Sequence, residues 1–97
     1  METLKPLSDF FRAIEKDHRI SITHIGIYAA LLQYRVDKGF INPIYAFSRE
    51  ICERAKISSR FTYHKCMNEL NEYGYINYLP TKKRNQGSRI SFLDNDN

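Results

Sequence analysis

Apolar residues recur at helical spacing through the first three quarters of the chain and then switch to the alternation of strands. The first helical stripe contains Leu7, Phe10, Phe11 and Ile14. With Ser8 as its N-cap, it predicts a short amphipathic helix over residues 8–16. A longer helix is expected to begin after an N-cap at Thr23 and to end at Gly39 in a left-handed conformation.

The middle of the chain predicts a strand followed by two helices. A continuing helix is excluded by Asn42-Pro43, and residues 44–47 form a short β-branched and aromatic run typical of a strand. The next helix begins at Ser48, and residues 56–59 form a turn. The following helix, capped by Ser58 or Ser59, is expected to end at Gly74. Its inward stripe consists of Tyr63, Cys66, Met67, Leu70 and Tyr73.

The last part of the chain predicts a β-hairpin. Apolar residues alternate along two strands, at Ile76, Tyr78, Ile90 and Phe92. The polar and basic loop between them, residues 80–87, contains Gly87, where we expect a positive φ angle. The fold class expected is α+β and mainly helical, with a small antiparallel sheet and an additional N-terminal helix.

The length of 97 residues and the apolar content of 42% favour one hydrophobic core. We expect residues 1–20 to form a packing or dimerisation arm, residues 21–93 to form the main domain, and residues 94–97 to be a disordered acidic tail. No signal peptide or membrane-spanning run is recognised, so a cytoplasmic protein is expected, with Cys52 and Cys66 as thiols.

Three segments of the C-terminal half carry a family resemblance: ICERAKIS at 51–58, TYHKCMNEL at 62–70 and GYI at 74–76. They resemble bacterial winged helix-turn-helix transcription regulators. A weaker resemblance, to short DNA-binding proteins of bacterial mobile elements, rests on THI at 23–25, YAAL at 28–31 and TYHKC at 62–66. The resemblance implies that residues 21–93 form a winged helix DNA-binding domain, with its second motif helix in the major groove and its hairpin wing beside it.

Charge is distributed as this resemblance requires. The net charge is +4, and residues 45–93 hold nine Lys and Arg against four Asp and Glu, whereas residues 1–44 hold six against five. The candidate recognition-helix residues are Ser59, Arg60, Thr62, His64, Lys65 and Asn68. Arg and Asn can bind guanine and adenine edges, and Lys, protonated His and hydroxyl groups can bind phosphate. The alternative is an ordinary solvated helix face.

The second candidate cluster is the wing, with Lys82, Lys83, Arg84 and Arg89. Such a loop can bind phosphate, or it can serve only solubility and protection of the sheet edge. Phe61 fits neither helix face. We expect it to be a peripheral core aromatic; the alternatives are packing against the turn, contact with a thymine methyl group, or cover by a neighbouring subunit.

No metal, cofactor or catalytic activity is expected. His64 and Cys66 are two residues apart on a helix and point about 200° away from each other, and no compact set of four ligands is recognised. The sequence contains no phosphate loop, no nucleophile elbow and no carboxylate pair spaced for acid–base catalysis.

The preferred hypothesis is sequence-specific binding of double-stranded DNA by a homodimer, in transcription regulation or control of a mobile element. The two half-sites would lie about 10 bp apart, or a multiple of it. The stripe of the first helix could join two subunits or fold back onto its own chain. No small-molecule effector is indicated. The alternative is a winged helix that binds another protein instead of DNA.

Overall fold

The computed structural model describes residues 4–93, which form four helices and one three-stranded antiparallel sheet. The helices are α1 (Lys5–Ala13), α2 (Ile22–Asp37), α3 (Ser48–Ala55) and α4 (Arg60–Glu72). The strands are β1 (Ile44–Ala46), β2 (Ile76–Leu79) and β3 (Ser88–Phe92). About half of the described residues are helical, and the predicted α+β class is confirmed. The predicted acidic tail, residues 94–97, lies outside the described residues.

Helix α2 is the centre of the fold, because it packs against α1, α3 and α4. It is therefore buried on more sides than a helix that packs on one neighbour, and the side chains of Ile27 and Leu31 are fully buried. Its N-cap is Ser21, and the predicted cap at Thr23 is wrong. The Ser21 hydroxyl accepts from the backbone N–H of His24, and His24 Nδ1 accepts from the N–H of Ser21 at 2.9 Å. Gly39 follows the helix with the predicted positive φ, 91°.

Helix α1 starts three residues before the predicted Ser8 boundary, so Ser8 lies inside the helix and does not cap it. Pro6 occupies the first turn, where the missing N–H of proline costs nothing. The Phe10 ring is buried and stacks on Tyr28 with centroids 3.9 Å apart and planes 8° apart. Phe11 remains 48% exposed. The apolar side of α1 therefore packs largely on its own chain.

A short turn joins α3 to α4. Helix α3 ends at Ala55, and its C-cap, Lys56, has a left-handed φ of 62°. Ser59 caps α4, and its hydroxyl accepts from the backbone N–H of Thr62 at 3.1 Å. Gly74 ends the α4 segment with the predicted positive φ, 90°. The inward side of α4 has four buried side chains: Tyr63, Cys66, Met67 and Leu70.

The sheet has the order β1-β3-β2, so the hairpin of β2 and β3 is extended by a short strand from between α2 and α3. Ile90 of β3 lies opposite both Ile44 and Tyr78, and these three side chains face the core. The next residue pair along the ladder faces outward, with Arg89 opposite Tyr45 and Leu79. The sheet thus has one apolar face and one exposed face.

The prediction that Gly87 has a positive φ angle is wrong. Within the described chain only Gly39 and Gly74 are glycines with a positive φ. A Cβ atom built on Gly87 would lie 2.6 Å from the backbone nitrogen of Ala46 and 2.8 Å from the carbonyl carbon of Tyr45. Glycine is therefore needed because the loop passes directly against β1.

Among residues 4–93, no helix combines the length and the apolar character that crossing a membrane requires.

Candidate nucleic-acid interface

One side of α4 presents a continuous polar and aromatic surface. Successive residues turn by about 100° around a helix, so residues 61, 65 and 68 lie opposite the buried side. We call five exposed residues of this surface the α4 face: Arg60, Phe61, His64, Lys65 and Asn68. The exposed carboxylate of Glu72 lies on the same side of the helix, one turn after Asn68. The structure thus brings four of the predicted recognition residues together on one side of α4. Phe61, which was not predicted as a recognition residue, lies on the same side.

Ser59 and Thr62, the other two predicted residues of this helix, lie at its first turn. Ser59 is exposed and Thr62 is half-buried. Because Ser59 Oγ accepts from Thr62 N–H, its oxygen is engaged in capping, but its hydroxyl hydrogen is still able to donate. This cap fixes the direction in which the first residues of the α4 face extend from the molecule.

The cations of this region have little internal compensation. Five exposed cations of α4 and the hairpin have no carboxylate within ion-pair distance: Arg60, Lys82, Lys83, Arg84 and Arg89. Elsewhere among residues 4–93 the same holds for four more exposed cations: Lys16, Lys38, Arg49 and Lys56. Lys65 lies 3.5 Å from Glu69, and its side chain is still 62% exposed. Such an exposed pair is weak, so Lys65 can turn to another anion at small cost.

The hairpin lies beside α4 and is attached to it by polar contacts. The backbone N–H of Tyr78 donates to Asn71 Oδ1 at 2.9 Å, and the Tyr78 hydroxyl lies 3.4 Å from His64 Nδ1. His64 is thus at the edge of the α4 face that adjoins β2. The chain enters the basic loop, residues 80–87, immediately after β2 ends at Leu79.

The basic loop is folded back on itself. Thr81 Oγ1 accepts from the N–H of Lys83 at 3.1 Å, and the Lys83 carbonyl accepts from the N–H of Gln86 at 3.4 Å. Ser88 Oγ accepts from the N–H of Thr81 at 3.4 Å and closes the base of the loop. The three cations of the loop, Lys82, Lys83 and Arg84, are exposed.

A groove of about 450 Å³ lies at the base of this loop. It is lined by Tyr45, Leu79, Thr81, Gln86, Gly87 and Arg89. Arg89, a predicted wing residue, lies in the middle of it, between Tyr45 and Leu79. Sequence reasoning missed the contribution of Tyr45, because β1 was predicted without its pairing partner.

The expectation that Phe61 is a peripheral core aromatic is wrong. Its side chain is 78% exposed, whereas Tyr63 two residues later is 1% exposed. The helical phase contains this information: residue 61 is about 180° from the centre of the buried side of α4.

A second polar cluster joins α2 to α4 behind the α4 face. His24 Nε2 lies 2.8 Å from Glu69 Oε1, and His24 is 5% exposed. Because His24 Nδ1 accepts from Ser21 N–H, the neutral ring carries its proton on Nε2 and donates it to Glu69. The hydrogen bond from His24, assisted by Lys65, lowers the pKa of Glu69. The pair therefore braces two helices whose contacting residues are 45 positions apart.

Cys66 lies close to this brace, and the ligand atoms of His24, Cys66 and Glu69 lie within 4.8 Å of one another. A metal ion there would have to displace the ring proton from Nε2 and break the His24–Glu69 hydrogen bond. Burial also raises the pKa of the Cys66 thiol, which disfavours the thiolate that binds metals. The three residues fit a hydrogen-bonded brace better than a metal site. Sequence spacing did not reveal this group, because two distant helices supply it.

Comparisons of the chain with protein-family models, with curated proteins and with solved structures found no match. Its function is therefore inferred from the α4 face, the basic loop and the contacts that hold them.

Proposed function

We propose that this protein binds double-stranded DNA as a winged helix-turn-helix module, with α4 in the major groove and the basic loop as the wing. The order of elements supports the proposal: α2, β1, α3, a four-residue turn, α4 and a hairpin follow one another along the chain. In a helix-turn-helix, the second helix reads base edges and the first crosses the backbone. In the proposed module, α3 is the first of these helices and α4 is the second.

The observation that carries the proposal is that four of the five exposed Lys and Arg side chains of the α4 face and the basic loop, Arg60, Lys82, Lys83 and Arg84, have no carboxylate within ion-pair distance. A folded domain gains nothing from concentrating unpaired like charges, because they repel one another. A polyanion that binds across the surface removes that repulsion and releases counterions. The wing cations and the α4 cations are then two parts of one phosphate-binding surface.

The α4 face also contains the side chains that distinguish bases. Arg60 can donate two parallel hydrogen bonds to guanine, and Asn68 can both donate to adenine and accept from it. These two residues lie eight positions apart, which is about 12 Å along a helix. Lys65 and His64 lie between them and suit phosphate or a purine acceptor. Binding, rather than catalysis, is the activity that these groups support.

We further propose that two copies bind one site. A single α4 offers only a few base-reading side chains, and a symmetric dimer doubles that number. The expected operator has two half-sites whose centres lie about 10 bp apart, or a multiple of it. Binding at such a site would allow the protein to regulate transcription or to control a mobile element.

Selection from a random duplex library tests the proposal. We expect the full chain to enrich a motif of two related half-sites after several rounds at moderate salt. Failure to enrich any motif, together with no retention of duplex at about 50 mM salt, would contradict DNA binding. Enrichment of one undivided motif would preserve DNA binding and contradict the dimer. A protein-interaction module would give the first of these failures.

A further inference from the structure

Phe61 is the most exposed aromatic side chain in the described part of the chain, at 78%. It is the second residue of α4, and the Ser59 cap holds the turn that carries it. The ring therefore extends from a fixed backbone into solvent. An exposed ring in this position gains free energy from any apolar group that covers it.

The surroundings of Phe61 decide which kind of group can cover it. Lys65 lies one turn after Phe61, Arg60 precedes it, and His64 and Asn68 are on the same face. Lysine is depleted at protein–protein interfaces, and their cores contain few charged residues, so a ring next to Lys65 suits them poorly. The same charges complement a phosphate backbone, which places the ring among groups that attract DNA.

The major groove offers one apolar group to such a ring. Among the base edges exposed there, only thymine carries a methyl group, at C5. The N-terminal residues of a recognition helix are the ones that reach base edges. We propose that Phe61 recognises thymine by packing its ring on the C5-methyl group, an inference that rests on the DNA binding proposed above.

Deoxyuridine provides the test, because uracil keeps every hydrogen-bonding group of thymine and lacks only the methyl. The probe is the duplex enriched from the random library, resynthesised with deoxyuridine at one thymidine position at a time. Three proteins are titrated against each duplex: wild type, Phe61→Ala and Ile22→Ala. Ile22 is the matched control, since it is 85% exposed but lies at the start of α2.

At one position in each half-site, we expect deoxyuridine to weaken wild-type binding about fourfold, which corresponds to one buried methyl group. Phe61→Ala should bind the thymine duplex at least as weakly as wild type binds the deoxyuridine duplex. It should not distinguish the two bases at that position. Ile22→Ala should behave as wild type. Thermal unfolding should be unchanged in both variants, because both side chains are exposed.

The proposal is overturned if no deoxyuridine position weakens wild-type binding, or if Phe61→Ala keeps the wild-type ratio between the two bases. It is also overturned if sedimentation shows that Phe61→Ala converts a dimer to a monomer, because Phe61 would then be a subunit contact. In these cases salt-dependent binding persists and the proposed function stands. If no duplex is bound at all, the proposed function and this inference fail together.

Discussion

Two charged regions of the molecule use their cations in opposite ways. In the Asp17 clamp, which consists of Asp17, Arg19, Tyr73 and Tyr75, the guanidinium of Arg19 bonds both oxygens of Asp17 at 2.8 and 2.9 Å. The Arg19 guanidinium also stacks over the Tyr73 ring at 3.9 Å, and the Tyr75 hydroxyl donates to Asp17 at 2.6 Å. On the α4 face and the basic loop, by contrast, most cations have no such partner within residues 4–93.

The comparison separates charges that hold the fold from charges that are available to a ligand. The clamp joins the segment after α1 to the end of α4. Arg19 holds Asp17 through two hydrogen bonds and stacks on the Tyr73 ring. Removing Arg19 leaves the Asp17 carboxylate, which is only 11% exposed, without its bidentate partner. Removing a cation from the α4 face breaks at most the weak, exposed pair of Lys65 with Glu69. The first change should therefore affect folding, and the second should affect binding.

The largest expected effect is the loss of DNA binding when charge is reversed on the α4 face. Arg60→Glu with Lys65→Glu should weaken specific binding by roughly 100-fold or more, because two contacts to base or phosphate become repulsive. The unfolding temperature should change little, since both side chains are exposed. Filter binding and thermal denaturation measure the two quantities.

The matched control for this variant is Arg12→Glu with Lys16→Glu. It changes the net charge by the same amount at exposed positions of α1 and the turn that follows it. It should lower affinity only modestly, by the change in overall charge. Equal losses in the two variants would show that overall charge, and not the α4 face, determines binding.

The next effect concerns the basic loop. Changing Lys82, Lys83 and Arg84 to Ala should weaken binding to all duplexes by about tenfold at moderate salt. The slope of log K against log salt should become shallower by about 0.9 for each phosphate contact removed. Preference among sequences should persist, because the α4 face is unchanged. If the slope equals that of wild type, the loop does not contact DNA phosphates.

The position of the loop can be tested through Gly87. Gly87→Ala should destabilise the fold by about 1–3 kcal/mol, because the new Cβ has no space beside β1. Gly26→Ala is the control: nothing lies within 4 Å of its Cβ position in α2, so it should be neutral or stabilising by up to about 1 kcal/mol. Urea denaturation compares them. Equal stability of the two variants would contradict the close contact between loop and strand.

The smallest expected effect is a pH dependence of the clamp. Hydrogen bonds from Arg19 and then Tyr75 hold the pKa of Asp17 below its ordinary value. Burial, with the bond to Asp17, raises the pKa of Tyr75 to about 12. Because the Asp17 pKa is lowered by folding, its stabilisation is present above about pH 4 and is lost as the pH falls.

Asp17→Asn should therefore lower the unfolding temperature at pH 7, and this deficit should shrink as the pH falls below about 4. Asp9→Asn, which removes an exposed pair with Lys5, is the control and should change little. A deficit for Asp17→Asn that stays constant over the whole pH range would show that the carboxylate charge does not hold the clamp.

Much of the fold was predictable because local signals agree with it. Gly39 and Gly74 end helical segments with positive φ, and alternation placed Ile76, Tyr78, Ile90 and Phe92 on the buried face. The starts of two helices were predicted wrongly. Ser21 forms its capping box with a histidine, where the usual pattern has Glu or Gln, and α1 begins at Lys5 without a side-chain cap and with Pro6 in its first turn.

The remaining differences arise from contacts between segments far apart in sequence. Gly87 is required by the approach of β1, a strand 41 positions earlier. The brace of His24 and Glu69 depends on the packing of α2 on α4. The predicted site residues of α4 could be placed on one face because helical phase is local. Phe61 was predicted at the edge of the core, but its helical phase places it opposite the buried side of α4.

The salt dependence of wild-type affinity for mixed-sequence duplex DNA tests most directly whether the unpaired cations form a phosphate-binding surface. Between about 50 and 200 mM salt, log K should fall linearly with log salt. The slope should be about −4 to −5 per protomer if each of the five unpaired cations of α4 and the hairpin contacts a phosphate. An affinity that does not change with salt, or no binding at the lowest salt, would contradict it.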